Sequence, residues 1–181
     1  MRIIVRIPLS EWAVRHLIHT NQHRLDDDGT TIQQTAKDFI GKLITGYMRK
    51  TIFDAWSMAI PTDSHLRVAL PMNYARYGLT AQDLVNLSDM LTDLAQREIC
   101  REVAMIASMP GISRAMTIRE VFAVRGITDE EYDQGHFRRY FDRYAKGSLG
   151  AEFPEFRREI TRTLKEIYGE AMWGQFEEAS K

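Results

Sequence analysis

Two short segments constrain the fold of this chain more than any other feature of its sequence. Residues 3–7 and residues 66–70 each alternate apolar side chains with exposable ones, and each is followed at once by a proline, Pro8 or Pro71. An alternation with a period of two is typical of a β-strand with one buried face. Because a lone strand leaves its backbone groups unpaired, we predict that the two strands pair antiparallel, within the chain or across a dimer.

The alternation also predicts which side chains face the core. The inward set consists of Ile3, Val5, Ile7, Leu66, Val68 and Leu70. The outward set consists of Arg2, Ile4, Arg6, His65, Arg67 and Ala69. Three arginines, Arg2, Arg6 and Arg67, are therefore expected on the open face of this ribbon, where guanidinium groups can reach the phosphates or bases of DNA.

Outside the ribbon, the apolar side chains follow the period of an α-helix. We expect about six helices, because capping residues precede most of the apolar stripes. The predicted spans are 10–20, 32–47 (capped by Thr30 or Thr31), 81–107, 118–124, 128–146 and 154–168. The third begins with a capping box of Thr80 and Asp83 and ends before Pro110. The expected fold class is mainly α with a small two-stranded β ribbon, which is α+β at the margin.

Length and charge limit the domain organisation and the partners. A chain of 181 residues fits one domain, 1–181, which can be divided into sub-modules 1–109 and 110–181. A net charge of −1 gives no global attraction to DNA or membranes, so nucleic-acid binding needs a local cluster of positive charge. The single cysteine, Cys100, fits a reducing compartment. With no leader pattern and no membrane span, we expect a cytoplasmic protein of a bacterium or its virus.

Residues 2–12 form a strand, a proline-containing turn and the start of an amphipathic helix. This order resembles the beginning of ribbon-helix-helix regulators. The resemblance implies that two such strands pair antiparallel and insert outward side chains into the major groove of DNA. That family takes its second strand from a second subunit, whereas residues 66–70 could supply it here. The alternative is a ribbon that only covers a helical core.

A second candidate surface lies near residue 140. Predicted helices 118–125 and 129–144 are joined by Gly126-Ile127-Thr128, a turn typical of a helix-turn-helix. The basic residues of this region that could clamp phosphates or guanine edges are Arg138, Arg139, Arg143 and Lys146. Residues 112–146 hold seven basic and six acidic side chains, however, so the alternative is a solvated charged face on a packed helix.

A third pattern is a histidine row. His16, His19 and His23 are spaced by three and four residues, which brings imidazoles to one helix face near the acidic stretch 26–28. Such a row could bind zinc, copper or nickel. Three ligands from one helix strain tetrahedral geometry, and His23 can fall beyond the helix end. We therefore expect no tightly bound metal and only adventitious nickel affinity.

Motifs of catalysis are absent from the sequence. The chain has no phosphate-binding loop, dinucleotide fingerprint, nucleophile elbow or paired-cysteine zinc motif. Its carboxylates are scattered, and Cys100 lies beside Ile99 on the expected buried face of a helix, as an inert thiol would. We expect neither catalytic residues nor a cofactor.

The leading hypothesis is a small non-enzymatic DNA-binding or accessory protein of the kind that phages and mobile elements carry. It would contact double-stranded DNA through the basic ribbon or the helix-turn-helix. The alternative is a protein-interaction or assembly module, as a homodimer or with a protein partner, without nucleic-acid contact. A contiguous basic patch of Arg2, Arg6 and Arg67 would favour DNA, and a contiguous apolar patch would favour a protein partner.

Overall fold

A computed structural model of the chain describes residues 2–50, 64–109 and 111–146. Within these ranges the chain forms five α-helices, a three-stranded sheet and a two-stranded sheet. The elements in order are β1 (Arg2–Pro8), α1 (Glu11–Thr20), β2 (Thr31–Gln33), α2 (Phe39–Tyr47), β3 (Arg49–Lys50), β4 (His65–Pro71), β5 (Tyr77–Gly78), α3 (Ala81–Ala107), α4 (Arg114–Val124) and α5 (Gln134–Lys146). The prediction of a mainly helical chain with a small sheet is confirmed. The prediction of a two-stranded ribbon is wrong, because a third strand, β2, also pairs with β4.

The strands β1 and β4 are the two that the alternation predicts. They pair antiparallel within the chain, with Val5 opposite Val68. Five of the six predicted inward side chains are at most 2% exposed, and the sixth, Ile3, is half-buried. One outward prediction is wrong, because Ala69 is only 5% exposed. This small side chain lies between larger neighbours, Ile4 on β1 and Gln33 on β2, since β4 is the central strand.

The third strand, β2, corrects a helix prediction. Residues 31–33 were expected at the start of a helix, but they form a strand parallel to β4, and α2 begins only at Phe39. Ile32 lies beside Val68 and is fully buried, so it completes the inner face of the sheet. The Asp38 carboxylate accepts hydrogen bonds from the Thr35 amide (2.7 Å) and hydroxyl (2.8 Å), which form the turn that separates strand from helix.

The bounds predicted for α3 are confirmed. The Asp83 carboxylate accepts hydrogen bonds from the Thr80 amide (2.9 Å) and hydroxyl (2.7 Å), and the Thr80 hydroxyl accepts one from the Asp83 amide (3.2 Å). This is the reciprocal capping box that the sequence predicts. The same hydrogen bonds lower the pKa of Asp83. The fully buried side chains along α3 are Leu87, Leu91, Ala95, Ile99, Cys100 and Val103.

The chain divides into two compact units, residues 1–96 and 97–181, and the division falls within α3. Both sheets, α1 and α2 belong to the first unit, and α4 and α5 belong to the second. The sub-modules 1–109 and 110–181 stay a prediction. The predicted helix 154–168 lies outside the described residues. Among the described helices, none combines the length and apolar character that crossing a membrane needs.

Candidate functional site

The three ribbon arginines share one face of the sheet, as the alternation predicts. Arg6 lies directly opposite Arg67, and directly opposite residues of an antiparallel pair project to the same side. Arg2 is four residues from Arg6 along β1 and therefore projects to that side as well. We call the outward side of β1 and β4, which carries Arg2, Arg6 and Arg67, the sheet face. Arg2 and Arg6 are exposed, but Ile4, 45% exposed, lies between them, so the sheet face mixes basic and apolar groups.

Arg67 on the sheet face forms an ion pair with an acidic loop. Its Nη1 atom donates hydrogen bonds to Asp28 Oδ2 (3.0 Å) and Thr30 Oγ1 (2.9 Å), both from the loop before β2. A hydrogen bond from the Asp26 carboxyl, hydrogen bonds from Thr30 and the charge of Arg67 hold the pKa of Asp28 well below its usual range. The ionised Asp28 offsets the positive charge of Arg67.

The bounds predicted for the two helices of the helix-turn-helix, and so for the turn between them, are wrong. α4 begins at Arg114, earlier than predicted, and α5 begins at Gln134 instead of residue 129. The Thr128 amide and hydroxyl exchange hydrogen bonds with Glu131 as a capping box would, at 3.3 and 3.4 Å, but this box closes only a turn. Asp133 caps the helix instead, since its carboxylate accepts a hydrogen bond from the His136 amide (2.6 Å).

The later start of α5 changes the charge of that helix. The acidic residues 129–131 and 133 fall in the connection and not on the helix. α5 itself, QGHFRRYFDRYAK, carries four basic residues and one acid, Asp142. The near balance of charge over residues 112–146 therefore does not describe this helix, which is strongly basic.

The basic residues of α5 project away from its packed side. Phe137 and Phe141 are buried, and Phe137 packs edge-on against Phe122 of α4 with ring centroids 5.2 Å apart. Arg138, Arg139 and Arg143 are exposed, and we call them the helix face. In the part of the chain that the structure describes, none of these three forms an ion pair, and Arg143 Nε donates only to the backbone carbonyl of Arg139 (3.3 Å). Lys146, the fourth predicted residue, is the last residue of α5.

The one acid of α5 is engaged by a residue that no local sequence pattern singles out. Arg114 Nη1 donates a hydrogen bond to Asp142 Oδ1 at 2.6 Å. The Arg114 guanidinium also lies 5.0 Å from the centroid of the Phe141 ring, a cation–π distance. The two residues of the ion pair are 28 positions apart, so no local pattern in the sequence signals it. With Asp142 neutralised, the helix face has no competing carboxylate on its own helix.

The histidines do not form the predicted row. His16 is fully buried, because the buried side of α1 extends from Trp12 and Ala13 to His16. α1 ends at Thr20, and His23 lies in the following 3-10 turn, where it accepts a hydrogen bond from Arg24 Nε (3.0 Å). Within the described ranges, no three His, Cys, Asp or Glu side chains are grouped as metal ligands.

Cys100 is buried as predicted for a core thiol. It is fully enclosed, and burial raises the pKa of its thiol to about 12. Because the thiolate is the reactive form, this environment opposes nucleophilic chemistry at Cys100.

Comparison of the chain with protein-family models, with curated proteins and with solved structures finds no significant match.

Proposed function

We propose that this chain is a small, non-enzymatic DNA-binding or accessory protein, of the kind that phages and mobile elements carry, and that α5 makes its main contact with double-stranded DNA. The observation that supports this proposal is the helix face: three exposed arginines on one helix whose only acid is neutralised by Arg114. The single cysteine, Cys100, fits the reducing compartment in which we expect such a protein to act.

The chemistry of the helix face suits a polyanion. Guanidinium groups bind phosphate oxygens through two parallel hydrogen bonds, and an α-helix fits the major groove of duplex DNA. Arg139 and Arg143 are one helical turn apart, so their side chains are neighbours on the surface. The tyrosines Tyr140 and Tyr144 stack on each other, with ring centroids 6.3 Å apart and planes 11° apart. The hydroxyl groups of the two tyrosines can add hydrogen bonds to phosphate oxygens.

The sheet face serves as a secondary contact in this proposal. Arg2 and Arg6 are exposed, but Asp28 offsets Arg67 and Ile4 interrupts the basic patch. Like charges directly opposite each other in a sheet repel, so pairing Arg67 with Asp28 also relieves repulsion between Arg67 and Arg6. This arrangement makes the sheet face less able than the helix face to attract DNA.

A second candidate function is an assembly module that binds a protein partner or a second copy of the chain. The observation that favours it is apolar exposure at one end of the sheet. Ile4 is 45% exposed and Met72, directly after β4, is 40% exposed. Exposed apolar groups of this kind contribute to protein interfaces when they are contiguous.

A comparison of two double variants tests the proposal. Arg139→Gln/Arg143→Gln and Arg2→Gln/Arg6→Gln each remove two positive charges, so they are matched in net charge. Binding of a random-sequence duplex is measured by fluorescence anisotropy over a series of salt concentrations, with circular dichroism to check that each variant folds. Each phosphate contact contributes about 0.9 to the slope of log affinity against log salt.

We expect the helix-face variant to flatten the slope by roughly two units and the sheet-face variant to change it by less than about one. The opposite ranking would assign the contact to the ribbon. Wild-type protein that binds no duplex at low salt would refute DNA binding altogether, and the assembly module would then be the leading function.

A further inference from the structure

We infer that Arg114 is a positioning residue for DNA binding by α5, because it holds the Asp142 carboxylate away from the arginines of the helix face. This inference rests on the proposed function. Arg114 lies on a different helix from the helix face and acts in this scheme through Asp142, not through contact with DNA.

Asp142 has basic neighbours on its own helix that are closer to it in sequence than Arg114 is. Arg138 precedes it by four residues, and Arg139 precedes it by three. Side chains at these spacings lie next to each other on a helix and readily form ion pairs. A carboxylate paired with Arg138 or Arg139 would cancel one of the charges that the phosphate backbone needs. The observed partner is instead Arg114, at 2.6 Å.

Arg114 is held in place for this role by its surroundings. It is the first residue of α4, directly after Ser113, whose hydroxyl caps the helix by accepting a hydrogen bond from the Met116 amide (3.2 Å). Its guanidinium also lies against the ring of Phe141, which is itself 4% exposed and thus anchored in the core. Two contacts with neighbouring residues of α5, Phe141 and Asp142, therefore orient one guanidinium.

The ion pair adds little to the stability of the fold. The side chains of Arg114 and Asp142 are 53% and 55% exposed, and solvent screens pairs of this kind. Its electrostatic effect on a bound polyanion is larger, since losing Arg114 both removes a positive charge and leaves Asp142 beside Arg138 and Arg139. A change at Arg114 should therefore alter DNA binding much more than folding, which separates this role from a structural one.

A double-mutant cycle on the full chain tests the inference. The variants are Arg114→Met, Asp142→Asn and the two combined, and Met preserves apolar contact with Phe141. Arg119→Met is the matched control, because it removes the same charge from another exposed position of α4. Duplex affinity and its salt slope are measured for each variant, together with the melting temperature.

We expect Arg114→Met to weaken binding by about threefold or more and to flatten the slope by about 0.9. The added Asp142→Asn change should restore the affinity to within about twofold of wild type. In the combined variant no carboxylate of α5 competes with phosphate for the arginines of the helix face. Asp142→Asn should not rescue the weaker effect of Arg119→Met. The melting temperature of Arg114→Met should stay within about 2 °C of wild type.

Two results would overturn the inference while leaving the proposed function in place. One is wild-type affinity in Arg114→Met, and the other is a combined variant that binds as weakly as Arg114→Met, which would mean that Arg114 contacts DNA itself. Wild-type protein without duplex binding would overturn the proposed function and this inference together.

Discussion

The sheet face and the helix face combine arginine and aspartate in opposite ways. On the sheet, an aspartate from a neighbouring loop, Asp28, offsets an arginine of the face, Arg67. On α5, an arginine from a neighbouring helix, Arg114, offsets the one aspartate of the helix, Asp142. The first pair reduces the positive charge of its surface, and the second preserves it. The number of charges counted along the sequence therefore says little about the charge of a surface. That charge depends on which charged residues a neighbouring loop or helix places next to it.

The two surfaces also differ in what lies beneath them. The sheet face is the outer side of strands whose inner side chains, such as Val5 and Val68, are almost fully buried. Its arginines are positioned by a sheet that the first unit needs for its core. The helix face is positioned by the aromatic packing of Phe122, Phe137 and Phe141. We therefore expect the sheet to matter most for folding and α5 to matter most for binding.

The largest effect that this comparison predicts comes from Val5→Asp. Val5 is 2% exposed, so the variant buries a charge without a partner and should lose about 4 kcal/mol or more of unfolding free energy, close to the whole stability of a small domain. The matched control is Ile4→Asp on the adjacent outward position, 45% exposed, which should fold normally. Urea denaturation measures both.

Ile4→Asp also tests the comparison directly, because it places an acid between Arg2 and Arg6. If the helix face is the main contact, duplex binding by this variant should fall by less than about threefold. A variant that folds but no longer binds DNA would show that the sheet face is the main contact.

A smaller effect is expected at Gly41, where α2 approaches the end of β2. A Cβ atom at Gly41 would lie 1.9 Å from the carbonyl oxygen of Thr35, which is backbone and cannot move aside cheaply. Gly41→Ala should therefore cost about 1–3 kcal/mol. Gly46, also in α2, has no atom within 4 Å of such a Cβ, so Gly46→Ala should stabilise the protein by up to about 1 kcal/mol. The free energies of unfolding of both variants measure this contrast.

Gly41→Ala also tests how the charge of the sheet face is set, because β2 follows the loop that brings Asp28 to Arg67. If Gly41→Ala shifts β2, it should loosen the Asp28–Arg67 pair as well as the core. Equal stability of Gly41→Ala and Gly46→Ala would mean that the close approach of α2 does not hold the end of β2 in place.

The elements that the sequence predicts well are those with strong local patterns. The strands β1 and β4 each keep a period of two over several residues, and α3 combines a long apolar stripe with a capping box. β2 has only three residues, too few to distinguish a strand period from a helix period. The start of α5 was misplaced because Thr128 and Asp133 both offer caps, and only the tertiary structure selects between them.

The candidate site was predicted only in part for the same reason. Periodicity correctly brings Arg2, Arg6 and Arg67 to one face, because that relation is local within paired strands. The ion pairs that decide the charge of each surface join residues 39 positions apart on the sheet and 28 apart between α4 and α5. Such pairs depend on how elements pack, and a single sequence carries no local signal of them.

The smallest expected effect comes from releasing Arg67 with Asp28→Asn. The low pKa of Asp28 indicates that its carboxylate is ionised at neutral pH, so the substitution removes a negative charge beside Arg67 and makes the sheet face more basic. Asp27→Asn is the matched control, since it removes the same charge from an exposed position of the same loop. With the helix face as the main contact, both variants should leave the salt slope of duplex binding unchanged within about 0.5. A slope that steepens by about 0.9 for Asp28→Asn alone would show that Arg67 joins a DNA contact once it is released. In that event the two surfaces would differ only in how their charges are offset, and Asp28 would be the residue that limits DNA binding by the sheet.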